Sequence, residues 1–333
     1  MTYNDHVNPQ GRPHVVILGA GATVATIPHG DKNGVKVSTM DGFIDKMGLR
    51  EILAGIEFES DNLEDVYSFL SEHIEYKTQK EHLEQDITTI FSKYQIPDEP
   101  TIYDVLILSL REKDAIATFN WDPLLMEAYF RCQFVTNKLP KLFFLHGNVG
   151  IQYCLQDNKI YYKDRRVCPR CMNRLSPCKL LFPIRHKEYK KDPFIKDQWV
   201  AFCEYLNRAY LVTVFGYSAP KTDVEAIKML KNAWGETGKR VFEQIEIIDT
   251  KDYDALVENW KDFIFFDHVT TIKKFWESSL AKSPRRTVED FYSETIEVKF
   301  LDYSNKLTEE NTSSWDKIQK SFYRLLLKEN DLK

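Results

Sequence analysis

The sequence predicts an α/β protein: a parallel sheet with helices on both faces, a helical insertion and a small cysteine-containing module. Three observations carry that expectation. Short apolar runs rich in Val, Ile and Phe recur along the chain. Stretches with helical spacing separate them, and several runs end in glycine or a polar residue.

The runs His14–Gly19, Ala115–Phe119, Leu142–Leu145, Tyr210–Phe215 and Ile245–Asp249 read as buried strands, with Phe263–Asp267 as a sixth. Leu63–Tyr76, Leu83–Tyr94, Tyr103–Arg111 and Val224–Trp234 place apolar residues three and four apart, the spacing of a helix with one buried face. Strands alternating with helices predict a Rossmann-like sheet. Two regions interrupt the alternation. Residues 41–110 are charged and helical, and residues 149–189 hold four of the six cysteines. With no Pro/Gly/Ser linker in sight, residues 1–250 read as one composite unit. Residues 251–333, with the helical pattern Trp315–Lys328, read as an extension packing on the core or on a partner.

Composition excludes several classes. A chain of 333 residues with 43% hydrophobic and 13% aromatic content can bury a substantial core. A net charge of −5 argues against a protein coated by nucleic acid. No run approaches the roughly 18 apolar residues of a membrane helix. The polar stretch Met1–Pro13 lacks the apolar core of a secretion signal. A cytoplasmic chain with reduced thiols is expected.

The loop Gly19-Ala20-Gly21-Ala22-Thr23 follows the first strand. Glycines there permit a tight turn and bring backbone N–H groups close to phosphate oxygens. A dinucleotide fingerprint would need a third glycine where Val24 stands, and no acidic residue ends a second strand about 20 positions on. Alone, the loop implies either a nucleotide site or a tight turn. Asn120, Trp121 and Asp122 follow the second strand, His146-Gly147 the third, and Gly216-Tyr217-Ser218 the fourth, with Asp223 shortly after. Polar residues at these strand ends gather at the edge where α/β sheets place ligands. Asn120 can orient a hydroxyl or a water, or simply cap a turn. Asp122 can face a ligand or cap the helix that Pro123 opens. His146 has the side chain suited to accept a proton near neutral pH.

Cys168-x-x-Cys171 has metal-ligand spacing, and Cys154 and Cys178 lie near it. Four thiolates could form a tetrahedral zinc site. The spacing departs from a double C-x-x-C, because Asp157 stands three residues after Cys154 and Cys178 seven after Cys171. A module with free thiols is the alternative. Cys132 and Cys203 fall in helical patterns and read as core. From Lys159 to Lys196 the stretch is strongly basic, which suits nucleic acid, an acidic partner or a solvated surface.

Taken in order, Gly19–Gly21, Thr118-Phe119-Asn120-Trp121-Asp122, His146-Gly147, Cys168–Cys171 and Gly216-Tyr217-Ser218 resemble the motifs of the sirtuin superfamily. The resemblance implies an NAD-binding domain over residues 1–250, with Asn120 and His146 catalytic. Gly19, Ala20, Gly21, Ala22, Thr23, Trp121, Asp122, Gly216, Tyr217, Ser218 and Asp249 would hold the NAD. Cys154, Cys168, Cys171 and Cys178 would hold a zinc. Two departures bear on the reaction. Protein deacylases of the family carry G-I-P-D-F-R where Val24–Gly30 stands, and F-G-E near the acyl-lysine peptide where Leu181-Phe182-Pro183-Ile184 stands. The divergent members of bacterial antiphage defence lack both and hydrolyse NAD outright; Asn62–Val66 and Thr101–Asp104 fit their style. The expectation is an NAD glycohydrolase controlled by self-association or by a partner such as a HerA-type ATPase or a short Argonaute. A protein deacylase and a non-catalytic NAD or ADP-ribose sensor are the alternatives.

Overall fold

The computed structural model describes residues 9–331 except 163–164, 184–188, 190, 220–222, 237–239, 241, 262 and 264–267. Six parallel strands form the sheet: β1 (His14–Leu18), β2 (Ala115–Thr118), β3 (Lys141–Phe144), β7 (Leu211–Phe215), β8 (Gln244–Ile248) and β9 (Val269–Ile272). Their spatial order is β3-β2-β1-β7-β8-β9. Chain order runs outward from β1 in one direction, then restarts at β7 in the other. The reversal lies between β1 and β7, where Val15 pairs with Ala115 on one side and Val212 on the other. A crevice opens at such a switch point, beyond the carboxyl ends of the strands.

Every residue of β1, β2 and β7 is buried, which is why these segments read as continuous apolar runs rather than alternating ones. Val16 and Leu18 face one core and Val15 and Ile17 the other. The first core is covered by α1 (Ala20–Thr26), α2 (Leu63–Glu72), α3 (Lys77–Lys93), α4 (Ile102–Leu108) and α5 (Leu124–Cys132). On the second lie α6 (Pro193–Arg208), α7 (Val224–Trp234) and α8 (Tyr253–Trp260). The helix starts follow from local chemistry. The Asn62 side chain accepts the Glu64 amide at 2.8 Å to cap α2, and Asp192 accepts from Ile195 with Pro193 opening α6.

Among the described residues the sixth strand of the sheet is Val269–Ile272, and most of the expected strand Phe263–Asp267 lies outside the described residues. Phe263 packs in the core against Trp260, with ring centroids 5.2 Å apart, and residues 264–267 lie outside the described set. Strand β9 is a half-exposed edge rich in β-branched residues, so its signal is propensity rather than apolar content. The sheet therefore continues past residue 250. Beyond it come α9 (Thr287–Thr295), whose Thr287 lies 2.9 Å from His14 of β1, and α10 (Trp315–Asp331), whose Ile318, Phe322 and Leu325 join the first core. Arg285, buried at 1% exposure, donates to the carbonyls of Leu108, Leu110 and Lys138 and pairs with Glu329 of α10.

The cysteine module is a three-stranded antiparallel sheet of β4 (Ile151–Cys154), β5 (Lys159–Tyr162) and β6 (Ser176–Pro177), in the order β5-β4-β6. Among the described residues no helix is long and apolar enough to cross a membrane.

Candidate functional site

The loops after β1 and β7 interlock at the switch point. A Cβ on Gly19 would stand 2.5 Å from the Gly216 carbonyl oxygen, and one on Gly21 would stand 2.8 Å from Gly216 Cα. Gly216 itself has φ +61°, and its own Cβ would meet the Ala22 nitrogen at 2.3 Å. Any side chain here would force the backbones apart. The Gly21 amide donates to Gly216 O and the Gly19 amide to Phe215 O, both at 3.0 Å. The glycines thus first serve the close approach of two chain segments.

Above the interlock, Asn120 is tied to the glycine loop. Its Nδ2 donates to Gly19 O and Thr23 Oγ1, each at 2.9 Å, and approaches the Tyr103 hydroxyl at 3.3 Å. Thr23 Oγ1 donates to Asp122 Oδ2 at 2.9 Å and lies 2.8 Å from the Tyr103 hydroxyl. Asp122 also accepts the Leu124 amide at 3.1 Å, so it caps a helix and anchors the site at once. Burial pushes the Asp122 carboxyl up to about 6, while the bonds from Thr23 and Leu124 pull it down.

His146 sits at the end of β3, 6% exposed, with its ring edge-on to Phe119 at 4.7 Å. Its Nε2 lies 2.8 Å from the Tyr189 hydroxyl and 4.0 Å from Asp223 Oδ1. Phe119 stacks on Tyr217 at 4.1 Å, and the Tyr217 hydroxyl donates to Asp223 Oδ2 at 2.8 Å. Gly147, with φ +81°, lets Lys179 O approach so closely that a Cβ would stand 2.1 Å from it.

Beside these groups opens a cavity of about 440 Å³, within the range of small-molecule sites. Gly19, Ala20, Gly21, Thr23, Asn120, Trp121, Asp122, His146, Gly216, Tyr217, Ser218 and Asp249 all face it. Ala22 does not: its side chain is buried in the core beneath the loop. Trp121 packs edge-on to Phe91 at 5.6 Å, and its buried indole N–H has no hydrogen-bond partner. Sequence reasoning missed the cavity's outer wall, where Asp41, Asn62 and Glu64 of the helical insertion stand beside Ser38 and Thr39 from the segment before it. It also missed Tyr103, whose apolar helical surroundings read as plain core, and left Asp223 without a role.

In the module, Cys154, Cys168 and Cys171 come together with Asp157, all ligand atoms within 4.8 Å of one another. Cys178 is not the fourth member. It lies beside Gly147, its Sγ 3.6 Å from Lys179 O. Asp157 takes that place on the turn after β4, at the position where a second C-x-x-C would put its cysteine. Three thiols and a carboxylate are a donor set that fits zinc. Of the basic stretch, Lys159, Arg165, Arg166, Arg170 and Arg174 are exposed, whereas Lys163, Arg185, Lys187 and Lys190 lie outside the described residues.

No family model matches the chain, and no curated protein matches it in sequence. The chain is similar to solved Sir2 structures. A Sir2 homolog in complex with NAD is 14% identical, covering 88% of this chain and 95% of its own, with a TM-score of 0.43. A Sir2 bound to acetylated peptide is 18% identical over 90% of this chain and 99% of its own, with a TM-score of 0.38. A structure solved for the mechanism and regulation of Sir2 enzymes is 14% identical over 86% and 94%, with a TM-score of 0.40.

Proposed function

We propose that this protein hydrolyses NAD at the nicotinamide–ribose bond, releasing nicotinamide and ADP-ribose. The observation that carries the reading is the pairing of Asn120 and His146 on the wall of one cavity at the switch point of the sheet. With Nδ2 engaged in the protein, Asn120 offers Oδ1 to a ribose hydroxyl or to the attacking water. His146 stands ready to take the proton as the water oxygen bonds to the ribose carbon and the carbon–nitrogen bond breaks. The departing nicotinamide keeps the bonding electrons and leaves neutral. Trp121 and Asp122 wall the nicotinamide side, where the unpartnered indole N–H suits a carbonyl acceptor. Gly216–Ser218 and Asp249 serve the rest of the molecule.

Water rather than acyl-lysine is the acceptor in this reading. The segment Leu181–Pro183 stands where deacylases of the resembled family hold their peptide, and here it is packed down. The Leu181 amide donates to His146 O at 2.9 Å, and Phe182 stacks on Tyr67 of α2 at 5.0 Å. We further propose that the enzyme is a toxic effector of antiphage defence, held off until self-association or a partner protein releases it. Incubation of the purified protein with NAD, with and without candidate partners, followed by chromatography, should show nicotinamide and ADP-ribose in equal amounts. Asn120→Ala and His146→Ala should each cut the release about a hundredfold or more, and turnover near the wild-type rate in both would overturn the assignment. Turnover that required an acylated peptide would favour the deacylase.

A further inference from the structure

Tyr103 lies on α4, wholly buried, and is not among the residues that line the cavity. Its hydroxyl nevertheless reaches the two side chains that connect the glycine loop to Asn120. We infer that Tyr103 is a positioning residue: it holds the Asn120 carboxamide so that Oδ1, and not the amide nitrogen, meets the ligand. The inference rests on the proposed reaction for its kinetic readout, and on ligand binding for an independent one.

The hydrogen-bond directions follow from counting protons. An ionised Asp122 can only accept, so the single Thr23 proton goes to Asp122 Oδ2 at 2.9 Å. Thr23 Oγ1 must then accept from its two other neighbours, Tyr103 OH at 2.8 Å and Asn120 Nδ2 at 2.9 Å. The Tyr103 proton is thereby committed to Thr23, which leaves the phenol oxygen as an acceptor toward Asn120 at 3.3 Å. Of the two amide protons on Nδ2, one goes to Gly19 O and the other is shared between Thr23 and Tyr103.

All three neighbours of Nδ2 are thus acceptors. Turning the amide over would set Oδ1 against a carbonyl, a threonine oxygen and a phenol oxygen with no proton between them. The orientation of Asn120 is therefore decided by the network rather than assigned by convention. Without the Tyr103 hydroxyl, Nδ2 loses one of its three acceptors, while the Thr23 proton stays on Asp122. One of the three oxygens that would repel a turned-over Oδ1 is then gone, and the preference for one amide orientation weakens. A loosely held Oδ1 costs rate, because the reacting groups must already be in place when the bond breaks.

The test is a double-mutant cycle. Tyr103→Phe keeps the ring that fills the core and removes only the hydroxyl. It should lower kcat for NAD cleavage roughly tenfold, the effect of one lost hydrogen bond, with KM changed less than about twofold. In an Asn120→Ala background the same substitution should change residual turnover and NAD affinity by less than about twofold, since the group it positions is gone. Equal losses in both backgrounds would mean a merely structural tyrosine and would overturn the inference. Thr23→Val, which removes the hydroxyl between the two, should show the same dependence on Asn120. It keeps the test decisive if Tyr103→Phe melts early. If the wild type binds NAD without cleaving it, the proposed reaction fails, and the cycle is read on NAD affinity alone by calorimetry. There the Tyr103→Phe loss should again vanish without Asn120. A wild type that does not bind NAD overturns both.

Discussion

The Nε2 atom of His146 lies 2.8 Å from the hydroxyl of Tyr189, at the end of the cysteine-bearing region 149–189. Burial drives the Tyr189 phenol above its ordinary range, so the hydroxyl stays protonated and can orient the imidazole at any working pH. Tyr189→Phe should therefore lower kcat about tenfold, a loss of ring orientation. His146→Ala should lose the hundredfold or more that a general base supplies. Steady-state nicotinamide release measures both. Equal losses would mean that Tyr189 shares the proton transfer rather than steering it.

Asp157 completes the module's donor set with Cys154, Cys168 and Cys171. Elemental analysis of purified protein should find about one zinc per chain. Asp157→Ala should lose most of the metal on dialysis against a mild chelator, Cys168→Ser should lose all of it, and Cys178→Ser should retain it. The last variant separates this donor set from the four-cysteine one, because only the latter requires Cys178.

The legible parts of this protein are those where one residue type can do only one thing. Asn120 and His146 showed because polar residues just past strands with buried carboxyl ends have the sheet edge as their place. Tyr103 did not show. It lies in the run Ile102–Leu108, where five of the other six residues are apolar, and only the fold turns its hydroxyl toward Thr23. Asp157 looked like a break in a metal motif because carboxylate ligands are rarer than thiolates in such modules, although its spacing was intact. The helical insertion was visible as a region, but its place over the cavity comes from long-range packing of Leu63, Val66 and Leu70 on the sheet, which periodicity does not encode.

Asp122 is 3% exposed and its carboxyl is raised from 3.8 to about 6. A raised folded-state value means the group's stabilising effect is fully present at low pH and is lost as pH climbs from 3.8 through 6. The cost to the fold at neutral pH is on the order of 3 kcal/mol. Asp122→Asn removes this titration. Its stability relative to wild type, from urea unfolding, should improve by about that amount between acid and neutral pH, while NAD cleavage falls because Thr23 loses its anionic acceptor. A flat difference across that range would mean that Asp122 is not the buried anion of the site.

His14 titrates in the opposite sense, at the amino end of the neighbouring strand β1. Its Nε2 lies 2.8 Å from Thr213 Oγ1 and its Nδ1 2.9 Å from Thr287 Oγ1. Thr213 gives its own proton to Glu246 at 3.0 Å, so it accepts from Nε2–H, and Thr287 must donate to the bare Nδ1. Both ring nitrogens are satisfied only in the neutral form. Burial, with a smaller contribution from Lys113, lowers the imidazole from 6.5 to about 3. A depressed value means that stability is complete above 6.5 and drains as pH falls toward 3. In that window wild-type stability should lose about 1.4 kcal/mol per pH unit through this group. His14→Gln, which keeps a donor and an acceptor but does not titrate, should unfold more readily at neutral pH and show an acid limb shallower by that slope. Because Thr287 belongs to the returning C-terminal segment, acid should also loosen α9 before the sheet gives way. Hydrogen exchange at pH 4 should show α9 amides exchanging ahead of those of β1 and β7.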